Sequence, residues 1–134
     1  MGDHLRTLAR LLLASIRLAN GSIALFRPQF ISRQLAAAPG GHPAIHYALR
    51  MFGVRTILIG LDLLRPAGPA RDHAIRVAPI IHASDTIAAT LAARSGTLPA
   101  RTATTIVGIS AINTLLALAM QSSSSYPILR RRAE

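Results

Sequence analysis

The sequence predicts an all-α protein, a bundle of four transmembrane helices with both termini in the cytoplasm. The first observation is the composition: 51% of the residues are hydrophobic, only 4% are aromatic, none is Trp, and the mean hydropathy is +0.40. This composition favours lipid over a large soluble core. The second is that four apolar stretches can each cross about 30 Å of hydrocarbon at about 1.5 Å per residue. The third is the placement of the arginines.

The predicted spans form one domain over residues 1–121, followed by a flexible basic tail at 122–134. The fourth span is the clearest, because it contains no charged residue. The first is read as a retained span and not as a signal peptide, since Arg17 interrupts it before any small-residue cleavage site. The spans are residues 8–26, 44–64, 75–93 and 103–120.

The connections between the spans are rich in Pro and Gly. Residues 27–43 form either a short interfacial helix, with Phe30, Ile31 and Leu35 near one face, or a polar loop. Residues 65–74 form a Pro/Gly hinge and residues 94–101 a tight turn.

Arginine counts predict the orientation, because cytoplasmic loops carry an excess of basic residues. With the N-terminus inside, the inner side has eight arginines: Arg6, Arg10, Arg65, Arg71, Arg76, Arg130, Arg131 and Arg132. The outer side then has four: Arg27, Arg33, Arg94 and Arg101. This excess favours a multi-pass protein of the cell membrane with both ends in the cytoplasm.

Three further arginines fall inside the spans, and charges there tend to face the bundle interior and form pairs. Counting from the cytoplasmic ends places Arg17, Arg55 and Asp85 in one layer, and Arg55 is predicted to pair with Asp85. His82 lies one helical turn from Asp85 on the same face. Neighbouring polar residues complete a predicted buried cluster, which is also the candidate ligand-binding site: Arg17, Asn20, Arg55, Asp62, His82, Asp85 and Asn113.

This cluster has two interpretations. Its members can be ties between weakly hydrophobic helices, or they can hold a ligand, proton or substrate. If there is catalysis, His82, Asp85 and Arg55 are the candidates, with His82 and Asp85 suited to proton transfer. A metal site would need two more converging ligands, and the other histidines lie near helix ends or loops. No metal and no cofactor are therefore predicted, and whether the chain is an enzyme stays open.

The segments "RMFGVRTILIGLDLL" and "RVAPIIHASDTIAATLAARSGTLPAR", after a first helix ending in Leu-Phe-Arg-Pro, resemble a group of small four-helix membrane proteins of unknown function common in actinobacteria. The resemblance covers roughly residues 10–120. Its matched residues are Arg50, Gly53, Arg55, Gly60 and Asp85. It implies four spans and no particular activity.

Several function classes are excluded or set aside. The chain has no Cys, which excludes thiol catalysis and disulfides. Its net charge of +10 is spread between apolar runs and not gathered in a patch, so nucleic acid is not the predicted partner.

The first hypothesis is a structural or interaction component that contacts the lipid bilayer and forms a homo-oligomer or joins a larger membrane partner. The alternative is a membrane-embedded enzyme or binder of a lipid-like small molecule. A soluble basic helical bundle that binds nucleic acid remains a third hypothesis.

Overall fold

A computed structural model of the protein describes residues 2–35 and 43–121, and these contain helices and no strand. The all-α prediction is confirmed. The predicted tail at 122–134 lies outside the described residues. The helices are α1 (Gly2–Phe26), α2 (Pro28–Leu35), α3 (Pro43–Leu64), α4 (Pro69–Arg94) and α5 (Ala100–Ala119).

Proline and glycine set the helix boundaries. Pro28 begins α2 directly after α1, and Pro69 lies in the first turn of α4, where a missing N–H costs nothing. Gly96 follows α4 with a φ of +68°, the left-handed conformation that glycine adopts most readily. Of the two alternatives for the segment after α1, residues 28–35 are helical.

Helices α1 and α3 are antiparallel and pack with their backbones almost in contact. The Cβ that an alanine would add at Gly53 would lie 2.7 Å from the Gly21 carbonyl oxygen and 2.7 Å from the Leu25 nitrogen. At Gly60 the added Cβ would lie 3.1 Å from Cγ of Leu18. Gly53 and Gly60 therefore form a packing surface, of the kind that lets helices approach closely.

Helices α4 and α5 are also antiparallel, and polar contacts join them at two heights. The hydroxyls of Thr86 and Thr114 are 3.0 Å apart near the middle. Pro79 lies inside α4 and has no N–H, so the carbonyl of Ile75 lacks its usual helical donor. Gln121, just beyond α5, donates to that carbonyl from Nε2 at 2.7 Å. The acceptor that Pro79 leaves free in α4 is thus satisfied by a side chain just beyond the neighbouring helix α5.

One half of the bundle has a filled core. It lies between the first half of α1, the end of α3, the start of α4 and the end of α5, and we call it the filled half. Its side chains are mostly Ala and Leu, packed without polar partners: Ala9, Leu13, Ala14, Leu63, Ala78, Ala117 and Met120. Since α1 and α4 run in one direction and α3 and α5 in the other, the bundle alternates up and down.

The surface of the bundle is apolar and its interior contains polar groups. Large hydrophobic side chains are exposed on every long helix, among them Leu8, Met51, Ile80 and Leu115. The buried residues include Arg17, Thr56, His82 and Asn113. Large apolar side chains exposed in this number are unusual for a water-soluble bundle.

Two of the described helices, α1 and α5, are long and apolar enough to cross a membrane by length and composition. Core helices of soluble proteins and signal sequences can meet the same criterion, so this observation alone supports membrane association weakly. The predicted spans in α3 and α4 do not meet it. The reason is their charge, since α3 contains Arg50, Arg55 and Asp62, and α4 contains five charged residues: Arg71, Asp72, Arg76, Asp85 and Arg94.

Candidate functional site in the helical bundle

Arg17, His82 and Asp85 meet at the middle of the bundle and form what we call the polar triad. Arg17 lies on α1 and is only 4% exposed. Its Nη2 donates to Oδ2 of Asp85 on α4 at 2.9 Å and also contacts Nδ1 of His82. His82, one turn earlier on α4, is 0% exposed. The triad therefore joins the first and fourth helices through a buried cation, a carboxylate and an imidazole.

The charges of the polar triad balance when His82 is neutral. Arg17 supplies one positive charge and Asp85 one negative charge, in direct contact. Nδ1 of His82 lies 3.8 Å from the same carboxylate oxygen. Such balance is the usual condition for charged groups inside a protein or membrane, because an unpaired charge there is costly.

A cavity of about 330 Å³ lies beside the polar triad, and we call it the main cavity. The side chain of Asp85 is 38% exposed and lies at its wall with Arg17. Residues from all five helices line it: Arg17, Asn20, Ile23, Phe30, Ile31, Gln34, Leu35, Phe52, Thr56, Asp85, Thr105, Ile106, Ile109, Ser110 and Asn113. Its volume is at the lower end of small-molecule sites, which span roughly 300–1,000 Å³.

The main cavity is polar at its triad end and mostly apolar along its length, with Gln34 and Thr105 the polar lining residues near α2. On α5 the lining residues recur on one helical face from Thr105 to Asn113, a distance of about 12 Å at about 1.5 Å per residue. Ser110 and Asn113 lie at the triad end, and Ile106 and Ile109 lie toward α2. On α1 the order is the same in the opposite chain direction, with Arg17 and Asn20 before Ile23.

Two buried polar atoms at the triad end have no hydrogen-bond partner in the described part of the chain. They are Oδ1 of Asn113 and Nε of Arg17. Asn113 is only 6% exposed. Leaving such an atom unpaired costs about 1–3 kcal/mol, so buried polar groups are nearly always satisfied by protein, water or ligand. The triad end of the main cavity therefore has unused capacity for hydrogen bonds.

The short helix α2 covers the apolar end of the main cavity. Ser32 is buried and hydrogen-bonds Nε2 of His46 on α3 at 2.9 Å. Thr102 on α5 donates from its hydroxyl to the carbonyl of Gln34 at 2.8 Å. A second cavity of about 300 Å³ between α2 and α5 shares part of the same wall: Ile31, Gln34, Leu35, Thr105 and Ile106, with Arg101 and Thr102 at its other side.

The structure brings five of the seven predicted cluster residues together. Arg17, His82 and Asp85 form the polar triad, and Asn20 and Asn113 line the main cavity beside it. Arg17 and Asp85, two of the three residues that the sequence analysis placed in one layer, are in direct contact.

Arg55 and Asp62 lie elsewhere. Asp85 pairs with Arg17 and not with Arg55, which is exposed. Asp62 is half-exposed and accepts a hydrogen bond from Nε of Arg65 at 2.8 Å. The cause is the helical face of α3: its buried residues are Gly53, Thr56, Gly60 and Leu63, at spacings of three and four. Arg55 and Asp62 each immediately precede a buried position and so project about 100° away from the bundle.

Sequence reasoning missed the wall residues Thr56 and Ser110 and the role of α2. Thr56 lies three residues after Gly53 and four before Gly60, so the small-residue stripe of α3 was the available signal. Gln34 was expected on the polar side of a possible interfacial helix, yet it lines the main cavity with Phe30 and Ile31. Among the described residues, no group of three or more His, Cys, Asp or Glu could hold a metal ion.

Comparison of the chain with known protein families, with curated proteins and with solved structures gives no match. The resemblance to small actinobacterial membrane proteins stays a prediction.

Proposed function

We propose that this chain is a four-span protein of the cell membrane that binds a lipid-like small molecule in the main cavity. In this proposal α1, α3, α4 and α5 cross the bilayer and both termini are cytoplasmic. The proposal is supported by the apolar surface on all four helices and by the balanced charges inside them. Charged residues in α3 and α4 are compatible with spanning when they pair inside the bundle or lie close enough to the interface for their long side chains to reach it.

The observation that carries the binding proposal is the main cavity itself. It combines an apolar wall of Ile and Phe side chains with a few polar groups at one end, the usual pattern of small-molecule sites. A tie between Arg17 and Asp85 does not itself require space beside them, and unfilled space loses packing contacts. An amphipathic molecule with its polar head at the polar triad would occupy this space.

A second candidate function is a structural or interaction component, alone as a homo-oligomer or with a larger membrane partner. The observation that favours it is the polar triad, which pairs Arg17 with Asp85 and thereby ties α1 to α4 without any ligand. This candidate assigns no role to the main cavity, so variants of the cavity wall separate the two functions.

Membrane topology is tested with single cysteines, since the natural chain contains none. Ala67→Cys lies between α3 and α4, and Thr97→Cys lies between α4 and α5; both positions are exposed. In intact cells, a membrane-impermeant maleimide should label Thr97→Cys and should label Ala67→Cys only after permeabilisation. Equal labelling of both in intact cells, or recovery of the chain in the soluble fraction without detergent, would contradict the proposal.

Binding is tested by filling the main cavity. Ser110→Trp places a large ring in the cavity, whereas Ile112→Trp, two residues later, places it on the outer surface, where Ile112 is 54% exposed. Organic extraction and mass spectrometry of the purified proteins should find a small amphipathic molecule with the wild type and with Ile112→Trp. Ser110→Trp should lose at least nine-tenths of it while keeping its helical circular dichroism. Equal amounts in all three proteins would favour the structural candidate.

A further inference from the structure

We infer that the main cavity selects a ligand with an uncharged hydroxyl head, and this inference rests on the proposed binding function. The charges of the cavity wall limit the charge that the ligand's head can carry. Arg17 and Asp85 are the charged residues among those that line the cavity, and they neutralise each other. A ligand with an anionic or cationic head would leave one uncompensated charge in the interior, which is the situation that buried sites avoid.

Hydrogen bonding narrows the head group further. Both contacts of Asp85 with its triad neighbours run through Oδ2, and its side chain is 38% exposed at the cavity wall. An ionised carboxylate only accepts hydrogen bonds, so a ligand that reaches it must bring a donor. A ketone, an ether or a plain hydrocarbon has none. A hydroxyl does.

The neighbouring side chains can donate hydrogen bonds to the oxygen of a hydroxyl head. Asn20 and Asn113 each have an amide with two N–H donors and one acceptor, and Ser110 and Thr56 have hydroxyls. A hydroxyl head donates one hydrogen bond and accepts two, so it can bond Asp85 and an amide together. Nε of Arg17, which lacks a partner, is a donor from which a hydroxyl oxygen can accept, whereas Oδ1 of Asn113 is an acceptor that would need a second donor.

The apolar length of the cavity fixes the rest of the molecule. Ile109, Ile106 and Phe30 follow one another away from the polar triad, toward α2. The ligand is therefore a long-chain or polycyclic alcohol whose hydroxyl lies at the middle of the membrane, deeper than the head group of an ordinary bilayer lipid. A fatty acid would lie the other way round, with its carboxylate at the membrane surface.

The test uses three photoreactive decyl probes that differ only in the head: hydroxyl, sulfate or trimethylammonium. The full-length protein in lipid nanodiscs is irradiated with each, and labelled residues are identified by mass spectrometry. The hydroxyl probe should label Ile106 or Ile109 saturably, with lipid-facing Ile112 as the non-saturable reference. The two charged probes should need about a hundredfold higher concentration, the ratio expected for burying one unpaired charge.

Asp85→Asn gives a sharper outcome, because it removes the negative charge and leaves Arg17 positive. The preference should then move to the sulfate probe, and the double variant Arg17→Gln with Asp85→Asn, which has neither charge, should return it to the hydroxyl probe. A structural role for the triad would not produce this reversal. If Asp85→Asn does not fold, the ranking of the three probes on the wild type decides alone.

The two possible failures are distinct. If none of the three probes labels the cavity saturably, the proposed binding function is wrong. If the sulfate or trimethylammonium probe labels the wild-type cavity at the same concentration as the hydroxyl probe, the binding function stands and the inferred head group is wrong.

Discussion

The two halves of the bundle are built from the same four long helices, yet one is filled and the other has a cavity that is partly open to the surface. In the filled half, small and medium side chains such as Ala14, Leu63 and Ala117 are fully buried in one apolar cluster. In the other half, which we call the open half, the main cavity separates α5 from α1 and α3, and α2 covers it. The packed core and the proposed binding site therefore lie at different ends of one bundle.

The difference between the halves comes from the helix pairs. Helices α1 and α3 stay close along their whole length, from Arg10, which donates to the carbonyl of Leu63 at 2.7 Å, to the Gly21 and Gly53 contact. Helices α4 and α5 form a second close pair, joined by Thr86 and Thr114. The two pairs meet in the filled half and diverge beyond the polar triad. The triad lies at the boundary, where Arg17 spans the gap.

The largest expected effect is at that boundary. Arg17→Met leaves the Asp85 carboxylate without its cation inside the bundle, and we expect a loss of about 3–5 kcal/mol in the free energy of unfolding. Combining it with Asp85→Asn should restore most of the loss. The free energy of unfolding is measured in detergent micelles with circular dichroism as the signal.

Arg55→Met is the matched control, because Arg55 is an exposed arginine of the neighbouring helix. It should change stability by about 0.5 kcal/mol or less. If Arg55→Met cost as much as Arg17→Met, the assignment of Arg17 as the partner of Asp85 would be wrong.

The next effect compares the interiors of the two halves directly. Leu13 is fully buried in the filled half, so Leu13→Ala opens a new cavity and should cost about 2–5 kcal/mol. Ile109 already borders the main cavity, so Ile109→Ala enlarges existing space and should cost less than about 1 kcal/mol while weakening ligand binding. Thermal unfolding of both variants without added ligand makes the comparison. Similar losses would mean that the two halves are packed alike.

The smallest effect tests the close pair α1 and α3. Gly53→Ala should destabilise by about 1–3 kcal/mol because the added methyl meets backbone atoms of Gly21 and Leu25. Gly108→Ala on α5, where an added Cβ meets nothing within 4 Å, should instead gain about 0.5–1 kcal/mol from helix propensity. A gain in both variants, seen in the same micelle unfolding assay, would show that the helices are not held so close.

Much of the fold follows from the sequence because its signals are local. Pro and Gly bound the long apolar stretches, and proline at the start of α2 and α4 marks helix beginnings. Counting residues along each span placed Arg17, Arg55 and Asp85 at one height, since rise per residue is constant in a helix. These predictions needed no knowledge of the neighbouring helices.

The partner of Asp85 could not be obtained in this way. Height does not determine which face of α3 meets the bundle, and α3 has polar residues on two sides. The face was decided by backbone contact at Gly53, a long-range packing effect, and it turned Arg55 outward. The main cavity depends on the divergence of two helix pairs, for which no single segment of sequence has a signature.

The contact of Gln121 with the carbonyl of Ile75 has a consequence for the order of biosynthesis. Because a ribosome delivers α4 well before residue 121, α4 forms with one hydrogen-bond acceptor, the carbonyl of Ile75, still open where Pro79 has no N–H. This acceptor is satisfied only when Gln121, just beyond α5, has been made and supplies its side-chain amide. Assembly of this bundle thus includes a late step, in which Gln121 donates the hydrogen bond that the carbonyl of Ile75 lacks until α5 has been made.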